Sequence, residues 1–433
     1  MTPSPTRARD RAPLARAAAV LAVLAILVSA CGNATTTPSP PPATPVVPTA
    51  TPGPTPTPED PLAVYARIEQ QVQAIRGLTA KTVVTPQVLD EAGLAKELDG
   101  QFNAGNPAAT LAAEQRVYTA LGLLPNGINL HDELFKLLTS QVAGFYEPDT
   151  KKMFVVSRSG GLGATEKVTF AHEFDHALQD QHFDLTKLGT DVPGQGDRDL
   201  ARLSVAEGDA TLLMTLWLQQ GLTPAELIGM LGQSLDPAQT AILNAMPPYL
   251  RDQLMFPYTS GLSFIQSLYQ AGGWPAIDAV YGSPPDSTEQ IIHPEKYAAH
   301  EKPVTVTIPA DIAGRLGTGW TAPYQDTFGE YTLDEWLRVA GGLDQTVAAD
   351  AAAGWGGDRL VLVNGPSDAW GVALVTKWDT TADADAFAAA AQTTVGKLSG
   401  ADLFRPVAGE VAVVVGSNDD IRARLANVLG FAG

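Results

Sequence analysis

The sequence predicts a mainly helical α+β protein, and three observations carry that prediction. Between Glu59 and Gly272 most of the chain repeats apolar residues at helical spacing. Within that region, "VAGFYEPDTKKMFVVS" sets two β-rich runs on either side of Glu147-Pro148-Asp149-Thr150, the pattern of a hairpin and its turn. Beyond about Lys302 short apolar strands alternate with helical runs, the texture of a small α+β unit. At 433 residues the chain is long enough for more than one domain, and its 45% hydrophobic content supplies a sizeable core.

The N-terminus is organised differently. Arg7, Arg9, Arg11 and Arg16 precede an apolar run, Ala17 to Val28, that is too short for a comfortable transmembrane helix, so residues 1–30 are expected to be a secretory signal peptide. The following Val28-Ser29-Ala30-Cys31-Gly32 resembles the lipobox of bacterial lipoproteins, which implies cleavage before Cys31 and its lipidation. Cys31 is the only cysteine, so the mature chain forms no intrachain disulfide. Asn33 to Pro58 is almost entirely Thr, Pro, Ala and Ser and cannot bury a core; residues 31–58 therefore read as a lipidated cysteine and an extended, disordered linker. Residues 59–300 and 301–433 are then a main domain and a C-terminal α+β domain held at the cell envelope, outside the cytoplasm. The formal charge of −19 and the lack of a basic stripe exclude nucleic acid as a partner.

Each element of the main domain has its signal. "PLAVYARIEQQVQAIRGL" is a helix stopped near Gly77, "PAATLAAEQRVYTALGLLP" one stopped by Pro125, and "INLHDELFKLLTSQV" a third. The hairpin follows, and helix resumes at about Thr165. A long helix is expected over Asp199 to Gln220, with others in "PAELIGMLGQSL" and "TSGLSFIQSLYQAGGW". "SPPDSTEQIIHPEKY" interrupts the pattern with prolines and turn residues. In the C-terminal part "RLVLVNG", "WGVALVTKWD" and "EVAVVVGS" are expected strands, "DADAFAAAAQTTVGKL" and "DDIRARLANVL" expected helices, and Trp355 to Arg359 a tight turn.

The chemistry lies in His172-Glu173-Phe174-Asp175-His176. Positions i and i+4 share a helix face, so His172 and His176 can hold one zinc ion with Glu173 beside it as general base. Zinc acidifies a water molecule to a pKa of about 7, and Glu173 would take its proton as the water attacks a carbonyl. Two ligands do not complete a site. His182 has the spacing of the third histidine in metzincins, but Gln179 stands where that pattern needs glycine, and on a continuous helix His182 lies about 15 Å along the axis from His172. Glu207 is the better third ligand: it shares a helical stripe with Leu203, Ala210 and Met214, where a carboxylate is costly unless paired or metal-bound. The adjacent Gly208 fits a close backbone approach. This is the arrangement of gluzincins, the thermolysin-like enzymes. Those enzymes carry an orienting Asp four residues after the ligand Glu, where this chain has Thr211; Asp209 is a candidate for that supporting role.

The segments "QVAGFYEPDTKKMFVV", "AHEFDHALQDQHFDL", "AEGDATLLM" and "STEQIIHPEKY" resemble a group of bacterial metallopeptidases. The resemblance implies a zincin-like fold, peptide hydrolysis, one zinc ion, and Glu207 as its third ligand. An oxyanion needs a donor, for which His293 is the first candidate and Tyr297, Tyr258 and Tyr146 the others; His131 and His300 are assigned to the surface. The strand Val142 to Tyr146 is a candidate edge for an extended peptide. The expectation is thus a lipid-anchored zinc metallopeptidase acting on peptides or proteins, with a non-catalytic surface binding lipoprotein whose metal site is structural or degenerate as the alternative.

Overall fold

The computed structural model describes residues 60–157, 162–234, 241 and 243–431. The signal peptide, Cys31 and the linker lie outside the described residues. The architecture is the mainly helical α+β arrangement expected. Among the described residues no helix is long and apolar enough to cross a membrane.

Helix α1 (Pro61–Arg76) starts at Asp60, whose carboxylate accepts the Leu62 N–H, and stops at Gly77 in the left-handed conformation. Strand β1 (Pro86–Leu89), α2 (Glu91–Gly105), α3 (Ala108–Ala120) and α4 (Leu130–Gln141) follow. The hairpin forms where it was expected, as β2 (Gly144–Glu147) and β3 (Lys152–Val156), paired antiparallel from Gly144↔Val155 to Glu147↔Lys152. β1 joins the other side of β3 in parallel, giving the order β1-β3-β2 and leaving β2 at an edge.

Helix α5 (Ala164–Phe183) packs on β2, β3, α1 and α6 (Gly196–Gly221). Every residue from Val168 to Asp180 on α5 and from Leu203 to Met214 on α6 is buried, so both helices are enclosed on all sides. The stripe containing Glu207 is therefore one part of a fully buried circumference. Helices α7 (Pro224–Ser234), α8 (Pro248–Gly272) and α9 (Trp274–Gly282) come next. The interrupted stretch 283–297 forms two short helices, α10 (Thr288–Ile292), capped by Ser287, and α11 (Pro294–Ala298), opened by its own proline.

The C-terminal part adds α12 (Ile312–Leu316), β4 (Thr321–Asp326), α13 (Gly329–Val339), α14 (Gln345–Ala352), β5 (Trp355–Asn364), β6 (Trp370–Trp378), α15 (Thr381–Val395), β7 (Ala401–Phe404), β8 (Glu410–Gly416) and α16 (Asp419–Leu429). Its strands form an antiparallel sheet in the order β4-β5-β6-β8-β7. Alternate residues serve opposite faces: Leu360, Leu362, Val372 and Leu374 meet Trp336 and Phe387, whereas Val361, Val363 and Ala373 meet Ile312 and Leu425. Both faces are covered, which explains the unbroken apolar runs of β5, β6 and β8. Trp355 to Arg359 is the start of β5, with a register shift between Trp355 and Gly357, and not the tight turn expected.

The sheet is tied to the start of α6. Gly196 N–H donates to Asp326 Oδ1 (2.7 Å), Asp197 N–H to the Thr327 carbonyl (3.2 Å), and Arg359 Nη1 to the Gly194 carbonyl (2.7 Å). Asp197 in turn accepts from the Thr288 N–H at 3.0 Å.

Three carboxyls near these junctions each have one oxygen without a hydrogen-bond partner: Glu114 Oε2, Asp199 Oδ1 and Asp334 Oδ1. Burial pushes Glu114 well above the carboxylate range, Asp199 up to about 7 and Asp334 up to about 6. Each holds its proton more tightly folded than unfolded. Their stabilising effect is complete below about pH 4 and is lost as pH rises through the folded values. Among the described groups whose pKa is lowered, only His172 works against this trend between pH 5 and 8, since burial lowers it from 6.5. The unfolding temperature of the metal-free protein is therefore expected to fall from pH 5 to pH 8, by about 2–4 °C per kcal/mol lost. Glu114→Gln should flatten the slope measured by calorimetry; a rise over that window would contradict the account.

Candidate metal centre

The enclosed helices α5 and α6 bring the expected ligands together. His172 Nε2 lies 3.1 Å from His176 Nε2 and 3.3 Å from Glu207 Oε2, and His176 Nε2 lies 3.3 Å from the same oxygen. Ligand atoms at about 2.0–2.1 Å from a tetrahedral ion are about 3.3 Å apart, so the three atoms have the spacing of three corners of such a site. Two imidazoles and a carboxylate, each at most 6% exposed, form a donor set suited to a borderline divalent ion.

Glu173 follows His172 on α5 and is equally buried, with Oε2 lacking a hydrogen-bond partner. Burial, aided by the Glu207 charge, pushes it up to about 8, against the attraction of His176 and a hydrogen bond from the Tyr146 backbone. Burial alone would lower His176, but Glu207 outweighs it and raises this imidazole to about 10. Glu207, also opposed by burial, is held down at about 2 by the two histidines. The helix thus carries a carboxyl that retains its proton near neutrality beside one that stays ionised.

Two glycine contacts set this geometry. At Gly208 a methyl group would overlap the Gly261 carbonyl oxygen and lie 2.9 Å from Ile265 Cγ1; at Gly261 it would lie 2.5 Å from the Ser204 carbonyl oxygen. α6 and α8 therefore cross backbone against backbone, one residue from Glu207. Gly144 does the same for β2, where a methyl would lie 2.5 Å from Thr169 Cγ2 and 3.5 Å from Glu173 Cγ. Gly208→Ala is expected to push α6 from α8, to cost about 1–3 kcal/mol in denaturant unfolding, and to weaken metal binding through Glu207. Unchanged stability and affinity would show that the contact is not needed.

The other expected site residues are distributed as follows. α5 continues through His182, whose Nε2 meets the Thr79 carbonyl at 2.8 Å, far down the helix from the cluster. Asp209 does not support a ligand histidine. It points away from them, accepting both Arg76 Nε (3.1 Å) and Nη2 (3.0 Å) and the Tyr281 hydroxyl (2.8 Å), because two residues turn an ideal helix by about 200°. His293 is not at the cluster either: it is bonded to Glu330 at 2.9 Å and lies 3.6 Å from Glu295. Tyr297 donates to the Ser283 carbonyl and Tyr146 to Asp180 Oδ2. Of the oxyanion candidates only Tyr258 stands beside a ligand, its ring centroid 6.4 Å from that of His172. His300 is exposed, and His131 is half-buried between Asn103 and Asp132.

Sequence reasoning missed what surrounds the cluster. Gln179, noted only as the residue replacing a glycine, meets His176 Nδ1 with Oε1 at 2.9 Å. Its i, i+3 spacing from His176 was the available signal. Buried Arg76 also gave no sign; besides Asp209 it pairs with Asp278 (2.7 Å), approaches Asp175 (3.9 Å) and lies over the Trp274 ring. A second carboxylate group, Glu289, Glu301 and Asp379, is filled by the Lys296 ammonium at 2.6, 2.8 and 2.7 Å.

A family described as "Domain of unknown function (DUF8575)" matches residues 315–424, within the C-terminal part that holds the five-stranded sheet. No curated protein matches the chain. Among solved structures, one described as "a putative hydrolase with a novel fold", from Chloroflexus aurantiacus, is similar over 55% of this chain and 89% of its own, at 15% identity and a TM-score of 0.34.

Proposed function

We propose that this protein is a lipid-anchored, extracytoplasmic zinc metallopeptidase of the gluzincin type. The observation that carries the proposal is the convergence of His172 Nε2, His176 Nε2 and Glu207 Oε2 within 3.1–3.3 Å of one another, beside Glu173. His172, His176 and Glu207 would hold the ion. When bound, zinc supplies a Lewis acid that acidifies water and polarises a peptide carbonyl.

The chain's own residues do the rest. Glu173 in its ionised form, which a cation bound beside it would favour over the protonated form that burial favours, accepts the proton of the attacking water and hands it on to the leaving amine. Glu207 stays ionised and offsets the ion's charge. β2, an edge strand of its sheet whose Gly144 lies against Glu173, would offer backbone groups to an extended peptide. Tyr258 is the candidate donor to the oxyanion.

A second reading, a non-catalytic binding lipoprotein with a structural metal, draws support from the depth of the site, since His172, Glu173 and Glu207 are each 1% exposed. One experiment separates the two. Purified protein is assayed for zinc by elemental analysis and for cleavage of casein with and without a chelator. One zinc per chain with chelator-sensitive cleavage supports the peptidase; one zinc without cleavage supports the structural metal; no zinc ends both. The anchor rests on Cys31, and Cys31→Ser should move the protein from the membrane to the soluble fraction of cells.

A further inference from the structure

Gln179 is wholly buried and every polar atom of its side chain is engaged. Nε2 donates to Asp175 Oδ2 (3.0 Å) and to the Ala206 carbonyl (3.1 Å), while Oε1 faces His176 Nδ1 at 2.9 Å. The amide has only one workable orientation. Reversing it would set Oε1 against the Ala206 carbonyl, which can only accept, and against the Asp175 carboxylate. With Oε1 fixed as an acceptor, His176 Nδ1 must carry the hydrogen it donates. In the neutral ring that metal ligation requires, the lone pair of His176 is then on Nε2, the atom facing His172 and Glu207.

We propose that Gln179 is the positioning residue of the metal centre: it holds the His176 ring with Nε2 toward the ion and joins the histidine helix to the glutamate helix beside Glu207. The second part follows from Ala206, which is on α6 immediately before Glu207, whereas Gln179 and His176 are on α5. One amide thereby fixes both the ring of one ligand and the distance between the two ligand-bearing helices. Its setting is reinforced from behind. Asp175 faces Arg76 at 3.9 Å, and Arg76 is locked by Asp209 and Asp278, so the carboxylate that orients Gln179 is itself held in place. A neutral amide suits this position, because a carboxylate at 179 would face Asp175 with no donor between them.

This inference rests on the assignment of His172, His176 and Glu207 as metal ligands, and its test distinguishes the two. Zinc affinity is measured by competition with a chromophoric chelator, and ligand geometry by the visible spectrum of the cobalt(II)-substituted protein. Gln179→Leu is expected to bind zinc about 10–100-fold more weakly than the parent and to change the cobalt spectrum. The double variant Asp175→Asn/Gln179→Glu exchanges carboxylate and amide, so that position 179 still accepts from His176 and position 175 donates to position 179, while the Ala206 carbonyl loses its side-chain donor. It is expected to recover the parent cobalt spectrum, which reports the His176 ring, and only part of the lost affinity, because the link to α6 stays broken. Gln179→Leu with parental affinity and spectrum overturns the inference while leaving the metal centre standing. If Gln179→Leu does not fold, the exchange variant decides: a parental cobalt spectrum with weakened affinity supports the inference, and a folded exchange variant with a changed spectrum, or with parental affinity despite the lost Ala206 contact, overturns it. A parent chain that binds neither zinc nor cobalt overturns the inference together with the ligand assignment.

Discussion

Glu173→Gln is expected to bind zinc as tightly as the parent chain and to cleave casein about 10²–10⁴-fold more slowly. The side chain keeps its length and shape, and none of the three converging ligand atoms belongs to it. What the substitution removes is the ability to take and return a proton. The loss should fall on kcat with little change in KM, because the group acts on the reacting atoms and not on the peptide's remote contacts. Zinc content and the kcat of the same preparation are the two measurements. Parental kcat in a zinc-loaded variant would sink the assignment of Glu173 as the base.

Glu207→Ala should have the larger effect on the metal. It removes the anionic ligand and leaves two imidazoles, and zinc affinity should fall by more than the roughly 10–100-fold that loss of an outer partner costs. The metal-free protein should also suffer. Glu207 pairs with both His172 and His176 in a fully buried setting, and breaking a buried pair from one side costs about 3–5 kcal/mol. Glu207→Gln keeps the volume and a neutral oxygen, so it should retain more stability than Glu207→Ala while still losing most of the metal. Chelator competition and denaturant titration of the two variants check this ordering. If both bind zinc as the parent does, Glu207 is not a ligand.

Much of this site was legible in the sequence because its information is local. His172, Glu173 and His176 are fixed relative to one another by a single helical turn, and the absence of glycine at 179 correctly argued that α5 runs on past His182. Glu207 was reachable by a weaker argument, a carboxylate among apolar residues next to a glycine. The structure supplies the specific reason for that glycine in the Gly261 carbonyl. What escaped was non-local. Arg76 and Asp209 meet across 133 positions, and nothing near either residue announces the other. His293 sits among turn residues that looked like a loop end, but its partner is Glu330, 37 positions on. The short strands β1, β4 and β7 carry four, six and four residues, too few for alternation to stand out.

The ties at the start of α6 have a consequence in time. The chain is made N-terminus first, so His172, His176 and Glu207 all exist before the residues that hold α6 in register. Asp197 waits for Thr288, 91 positions later, and Gly196 waits for Asp326, 130 positions later. Until those later residues are in place, the helix bearing Glu207 lacks these two ties at its leading end, and loop-closure entropy favours the local pair of histidines over the complete trio. The full set of ties around the trio of His172, His176 and Glu207 is thus completed only after Asp326 has been delivered. A chain cut short between Glu207 and β4 would carry all three residues of the trio and still lack the ties from Asp326 and Thr327 to the start of α6.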